Sequence, residues 1–203
     1  GVAGLQALAT AKRLGAITYA MDIRPAASEQ AKSLGAIAIE SGVPEEIAIG
    51  DGGYAQKIPE EWIKRERDEI KKVLKNMDIV FLSALIPGKI APILITEEMA
   101  KEMRNGSVIV DVSIDQGGNC EITPAGKKEV KHNITISGIK NIPGLIPSSS
   151  TWMFANNVYN LVSYLVRNGD IFLDMNDDII KSILVTHNGK VIHEGAREAM
   201  GLD

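Results

Sequence analysis

Two glycines open the sequence at a point where a helix is predicted to begin. Gly1 and Gly4 precede an Ala-rich pattern of helical spacing that ends at Gly15. Glycine at the start of a helix lets an anionic group approach the free backbone N–H groups and the positive end of the helix dipole. The spacing matches the last part of a G-x-G-x-x-G fingerprint, which places a pyrophosphate at such a helix start. A tight helix start built from small residues is an equally good interpretation of these two glycines alone.

An acidic residue further along favours the nucleotide interpretation. Asp22 stands 18 residues after Gly4, at the predicted end of a strand over residues 16–21. A carboxylate at the end of the second strand of a dinucleotide-binding unit accepts hydrogen bonds from the adenosine ribose and repels a 2′-phosphate. The pattern therefore predicts an NAD(H) site and favours NAD over NADP. Two alternatives stay open: Arg24 could hold a phosphate, and Asp22 could be a solvated acid.

The elements that must position these residues alternate between helix and strand. Helices are predicted over residues 2–14, 25–35 and from 59 onward, and strands over 16–21, 36–39, 79–82, 108–112 and 134–137. Apolar strands without strict alternation, separated by helices, are typical of a parallel sheet covered on both faces. We therefore predict an α/β fold, a Rossmann-type doubly wound parallel sheet over residues 1–145. Its first strand is expected in a preceding segment of a longer protein.

The last segment of the sequence has a different character. Residues 146–203 predict a long helix capped by Ser148, Ser149, Ser150 or Thr151, followed by a hairpin at Asn188-Gly189. We expect this segment to return to a second domain that lies upstream.

Three loops are expected near the nucleotide. Residues 83–88 and 115–119 follow predicted strands, and ligands of open α/β sheets lie at the carboxyl ends of strands. The second of these loops offers Asp115 and Gln116 near the expected nicotinamide position. Residues 40–58 form an unusually long loop with several glycines, as functional lids often do. Without context, a plain Pro-Gly turn and a solvated glycine-rich loop explain the first two segments as well.

Composition excludes several other classes of protein. The net charge of −4 and the pI of about 5.5 leave no electrostatic footprint for nucleic acid or an anionic membrane. A single cysteine, Cys120, rules out an internal disulfide and is predicted to be a small apolar filler. The three histidines lack metal-ligand spacing, so no metal site is expected. The mixed charges over residues 60–72 predict a solvated helix face.

Five segments, in this order, resemble the alanine dehydrogenase and transhydrogenase superfamily over essentially the whole chain. They are GVAGLQA at 1–7, DIR at 22–24, GGYA at 52–55, ALIPGK at 84–89 and GGNC at 117–120. The 52–54 segment and the ending at 180–187 are similar to the NAD(H)-binding component of the transhydrogenases. Asp115 points the other way, since transhydrogenases usually carry glutamate there and alanine dehydrogenases carry aspartate.

The transhydrogenase resemblance implies a function for the whole protein. Hydride passes directly between NADH and NADP⁺ bound on separate components, and the exchange is coupled to proton translocation through a membrane component. The cofactor performs this chemistry, so no catalytic side chain is expected. The residues implied in NAD(H) binding are Gly1, Val2, Gly4, Asp22, Ile23, Arg24, Gly53, Tyr54, Ser83, Ala84, Leu85, Asp115 and Gln116.

The resemblance also implies partners and a location. We expect a homodimer that joins NADP(H)-binding and membrane components on the cytoplasmic or matrix side of an inner membrane, without a membrane span of its own. The polar loop that orients the nicotinamide would lie upstream, so this chain alone is expected to be inactive. The alternatives are an alanine dehydrogenase-like oxidoreductase, with Asp115 and Asn141 near a small amino acid, and a non-catalytic NAD-sensing module.

Overall fold

The computed structural model describes residues 1–50, 55–86 and 89–202. Within it the chain divides into two compact units, Gly1–Ile142 and Pro143–Asp203. The predicted division of the protein into domains at residue 145 remains a prediction.

The first unit alternates helices and strands, as the sequence pattern predicts. Its helices are α1 (Val2–Arg13), α2 (Pro25–Ser33), α3 (Glu45–Ala48), α4 (Glu60–Leu74) and α5 (Glu97–Lys101). Its strands are β1 (Tyr19–Ala20), β2 (Ile37–Ala38), β3 (Ile79–Leu82), β4 (Val108–Asp111), β5 (Lys128–Lys131) and β6 (Ile134–Ser137). The short α3 lies inside the segment predicted to be a loop. Thr96 caps α5, its hydroxyl accepting a hydrogen bond from the Met99 N–H at 3.3 Å.

The strands of the first unit form two sheets. β1 and β2 pair in parallel, and β3, β4 and β6 form three parallel neighbours of a sheet in the order β3-β4-β6-β5. β5 pairs antiparallel with β6 through a turn in which His132 and Asn133 have φ of 52° and 60°. The sheet is therefore parallel, as predicted, except at this edge, where an antiparallel strand was not expected. The sequence hides β5 because its residues, Lys-Glu-Val-Lys, are mostly charged.

The core lies on one face of the four-stranded sheet. Ile109 on β4 and Ile134 and Ile136 on β6 are fully buried, and they pack with residues of α4 and α5. Alternate residues of β4 and β6 are buried, which makes only one face of each strand part of this core. Cys120 belongs to the same cluster and is 2% exposed, which confirms its predicted role as an apolar filler.

An apolar groove runs along α1. None of the residues described in this helix is buried, and a cavity of about 490 Å³ lies between it, Ala16, Ile79 and Phe81. Ile79 and Ile17 are 70% and 78% exposed in this region. The additional parallel strand expected from the sequence remains a prediction, for which this surface between β1 and β3 offers apolar contacts.

The second unit contains a long helix and two hairpins. Its elements are α6 (Pro147–Leu165), β7 (Val166–Arg167), β8 (Asp170–Ile171), α7 (Asp178–Ile183), β9 (Thr186–His187), β10 (Lys190–Val191) and α8 (Glu194–Met200). The hairpin at Asn188-Gly189 is confirmed, with φ of 49° and 74° at the two turn residues. The predicted serine caps are wrong, because α6 begins at Pro147, a residue suited to the first helical position.

Membrane-spanning potential was assessed for the helices of both units. Over the residues that the structure describes, none combines the length and apolar character needed to cross a bilayer.

Candidate functional site

Asp22 lies just beyond β1 and is bound on both oxygens. Its Oδ1 accepts hydrogen bonds from the Arg24 N–H and Nε, both at 3.0 Å, and its Oδ2 accepts from Nη2 of Arg24 at 2.9 Å. Burial alone raises the pKa of Asp22, but these hydrogen bonds and the positive charge of Arg24 outweigh it and lower the pKa. Asp22 is therefore a carboxylate at neutral pH, as an acceptor for ribose hydroxyls must be.

The beginning of α1 lies next to this carboxylate. The backbone nitrogen of Gly1 is 3.3 Å from Oδ2 of Asp22. Among the described residues no side chain caps α1, so the N–H groups of its first turn are available to an anion. A pyrophosphate at this helix start and a ribose at Asp22 would thus be neighbouring portions of one ligand.

Ser83 brings a third segment to the same place. A Cβ atom built on Gly4 would lie 3.3 Å from Oγ of Ser83, so the first turn of α1 and the segment after β3 are in close contact. Ala84 and Leu85 continue this segment, with Ala84 half-buried and Leu85 exposed. Val2 is largely exposed and Ile23 is half-buried beside Asp22. The structure therefore groups the predicted residues at the ends of β1 and β3.

Asp115 and Gln116 lie in a different neighbourhood, after β4. Both are exposed on a short 3₁₀ helix, and Asp115 accepts a hydrogen bond from the Asn141 N–H at 3.1 Å. With Lys89 and Ile90 they line an open cavity of about 450 Å³. The proximity of Asp115 to Asn141, expected for a small-molecule site, is thus present in the structure. Gly53 and Tyr54, predicted to bind the cofactor from the 40–58 loop, lie outside the described residues.

Two buried polar residues near these segments were not predicted. Asn119 is fully buried and bonds to the segment after β3. Glu66, on the α4 face predicted to be solvated, is 6% exposed. Burial, reinforced by the negative charge of Asp22 and opposed by Arg67, raises the pKa of Glu66 to about 7. Helical spacing shows which residues share a face, but it did not show which side of this mixed-charge helix is covered.

A model of the family "Alanine dehydrogenase/PNT, C-terminal domain" matches residues 1–194. The chain belongs to this family. The predicted family resemblance is therefore confirmed, and with it the Rossmann-type α/β fold of the family's solved structures.

Relatives within the family carry two different names. A chain of NAD(P) transhydrogenase subunit alpha from Rhodospirillum rubrum is 41% identical over 197 residues, covering 95% of this chain and 51% of the relative. An alanine dehydrogenase of Staphylococcus haemolyticus is 37% identical over 139 residues, covering 66% of this chain and 37% of the relative. The chain spans about half the length of the transhydrogenase relative that it matches. The transhydrogenase match thus extends further along the chain.

Solved structures agree with this fold. Transhydrogenase from Sinorhizobium meliloti superimposes with a TM-score of 0.74 at 39% identity, covering 95% of this chain and 50% of that one. An L-alanine dehydrogenase superimposes with a TM-score of 0.73 at 24% identity, covering 99% of this chain and 51% of that one, and shows the fold alone.

Proposed function

We propose that this chain binds NAD(H) as a component of a proton-translocating NAD(P) transhydrogenase. The observation that carries the proposal is the contact of Asp22 with the uncapped start of α1, which places a ribose acceptor beside an anion site. The family match and the relatives named NAD(P) transhydrogenase support the same function. Bound NADH would supply the hydride, and the protein residues would hold and orient the nucleotide.

Asp22 and Arg24 together account for a preference for NAD(H). A carboxylate has about four lone-pair sites, and Oδ1 and Oδ2 of Asp22 each accept two hydrogen bonds, one of them from the Gly1 nitrogen. Ribose hydroxyls must therefore replace donors of Arg24 rather than add to them. A 2′-phosphate would meet the negative charge of Asp22 and a guanidinium already neutralised by it, which disfavours NADP(H).

The rest of the proposed activity belongs to the whole protein. Hydride would pass from NADH on this component to NADP⁺ on a separate NADP(H)-binding component, with Re/Si stereospecificity. A membrane component would couple the exchange to proton movement. The protein would thus be peripheral to an inner membrane, on its cytoplasmic or matrix side and as a homodimer, and this chain without its partners would be inactive.

An alanine dehydrogenase-like activity is the second candidate. The observation that favours it is the exposed Asp115, bonded to the Asn141 N–H beside the cavity at Lys89 and Ile90. A non-catalytic NAD-sensing module would share the nucleotide site and lack either reaction.

Assays on the full-length protein with its partner components separate these functions. The transhydrogenase proposal predicts NADH-dependent reduction of NADP⁺ and no alanine-dependent formation of NADH. Formation of NADH from alanine without any NADP(H)-binding component would overturn it in favour of the second candidate. Binding of NADH with neither reaction would favour the sensing module.

A further inference from the structure

Asn119 bonds to both backbone groups of Ala84. Its Oδ1 accepts a hydrogen bond from the Ala84 N–H at 2.9 Å, and its Nδ2 donates to the Ala84 carbonyl at 2.9 Å. The same Nδ2 donates its second hydrogen to the Pro92 carbonyl at 2.8 Å. Ala84 lies beyond the last residue of β3, where a strand neighbour no longer pairs with it. The side-chain amide thus does for this residue what an adjacent strand does within a sheet.

The amide of Asn119 is itself fixed by the end of β4. The Asn119 N–H donates to Oδ2 of Asp111 at 2.8 Å, and Oδ2 also accepts from the Cys120 N–H at 3.0 Å and the Thr123 hydroxyl at 2.9 Å. Oδ1 of Asp111 accepts from the Ser113 N–H at 3.1 Å. Asp111 is 1% exposed and Asn119 is fully buried. The position of Ala84 is therefore set by β4 through two buried side chains.

We propose that Asn119 is a positioning residue for the nucleotide, holding the segment after β3 at the distance from α1 that NAD(H) requires. This inference rests on the proposed function. Ser83, next to Ala84, already lies against the first turn of α1, where a Cβ atom on Gly4 would be 3.3 Å from its hydroxyl. A shift of the Ala84 backbone would move Ser83 into or away from the place expected for the pyrophosphate.

Only an asparagine satisfies all three partners at this position. The site needs one acceptor for the Ala84 N–H and two donors for the carbonyls of Ala84 and Pro92, and the amide of Asn provides them. An ionised Asp would place an oxygen against two carbonyls, and Ala would leave the three groups without these bonds. The side chain of Gln is one methylene longer than the gap that Asn119 fills.

The contact itself is tested by amide hydrogen exchange. In Asn119→Ala, the Ala84 amide is expected to exchange at least about tenfold faster, because its acceptor is gone. The Val112 amide, which donates to the Leu82 carbonyl at 3.0 Å, reports on the neighbouring sheet and should keep its protection. Unchanged exchange at Ala84 would show that Asn119 does not hold this backbone.

The matched control is Thr123→Val. It removes one hydrogen bond to Asp111 from the same buried network but none to Ala84. At a temperature where both variants are folded, Asn119→Ala should weaken NADH binding at least about fivefold, while Thr123→Val stays within about twofold of the wild-type Kd. Asn119→Ser, which is smaller but polar, serves in the same comparison if the alanine variant does not fold.

Two binding results would overturn the inference. One is a wild-type Kd in a folded Asn119 variant, and the other is an equal loss in Thr123→Val, since either makes Asn119 merely structural. If the wild-type chain binds no NADH, the proposed function fails as well, whereas hydrogen exchange at Ala84 still decides whether Asn119 holds that backbone. Failure of the inference alone would leave wild-type binding of NADH intact.

Discussion

A Cβ atom on Gly118 would lie 2.8 Å from Oδ2 of Asp111, the oxygen that also binds the backbone of Asn119. Gly118 has a φ of +84°, a conformation that side chains disfavour, and its lack of a side chain permits the close approach. The segment after β4 therefore needs glycine at this residue for two separate reasons.

Gly118→Ala should consequently destabilise the protein more than the same change in open space. Gly126 is the matched control, since it has a φ of +79° and nothing within 4 Å of its Cβ position. Left-handed backbone alone costs about 1–2 kcal/mol for a residue with a Cβ. We expect Gly118→Ala to lose at least about 1 kcal/mol more than Gly126→Ala in urea unfolding. Equal losses would show that Asp111 moves aside without cost.

Glu66 should make stability depend on pH in an unusual direction. Its pKa is raised from 4.5 to about 7 in the folded protein, so between these values the folded state holds a proton that the unfolded state releases. The free energy of unfolding should therefore fall as pH rises from about 4.5 to about 7 and change no further through this group above that range. At about 1.4 kcal/mol per pKa unit, the full effect is about 3 kcal/mol.

Glu66→Gln should remove this pH dependence and stabilise the protein at about pH 8, because the uncharged amide avoids a buried negative charge near Asp22. Glu61→Gln, an exposed change on the same helix, is the control and should leave the profile unchanged. Urea unfolding at several pH values measures both. A parallel profile for Glu66→Gln and wild type would mean that Glu66 is hydrated in the folded protein.

Arg24 should control the acid limit of NADH binding. Although burial raises the pKa of Asp22, the bonds from Arg24 lower it overall, and ribose recognition needs the ionised form. In Arg24→Gln the pKa of Asp22 should rise, so NADH affinity should begin to fall at a higher pH than in wild type. Fluorescence titrations with NADH down to about pH 5 measure this, with exposed Arg13→Gln as the control. An acid limb that does not move would separate Asp22 from the binding site.

Much of the fold could be predicted because its signals are local. β3 and β6 have the predicted bounds, α1 ends within one residue of its prediction, and the Asn188-Gly189 turn is formed. Each of these depends on apolar runs, helical spacing or turn residues within a few positions of one another.

The features that were missed depend on distant partners. Asn119 bonds to residues 27 and 35 positions away, and the burial of Glu66 depends on elements other than its own helix. β5 is mostly charged and owes its existence to pairing with β6. Of the candidate site, the glycines, Asp22 and Ser83 could be placed by fingerprint and strand ends, whereas the residues that hold these loops could not.

Binding of NADH by Asp22→Asn tests the central claim most directly. The amide keeps the size of the side chain but loses its charge, so affinity for NADH should fall by about 1–3 kcal/mol, the range for a charge-assisted hydrogen bond. Discrimination against NADPH should fall with it, because the charge that opposes a 2′-phosphate is gone. Asp68→Asn, the same change at an exposed residue of α4, should match wild type. Calorimetric titration showing reduced NADH affinity in Asp22→Asn alone is the predicted result, and unchanged NADH affinity in that variant would contradict the nucleotide site proposed for this chain.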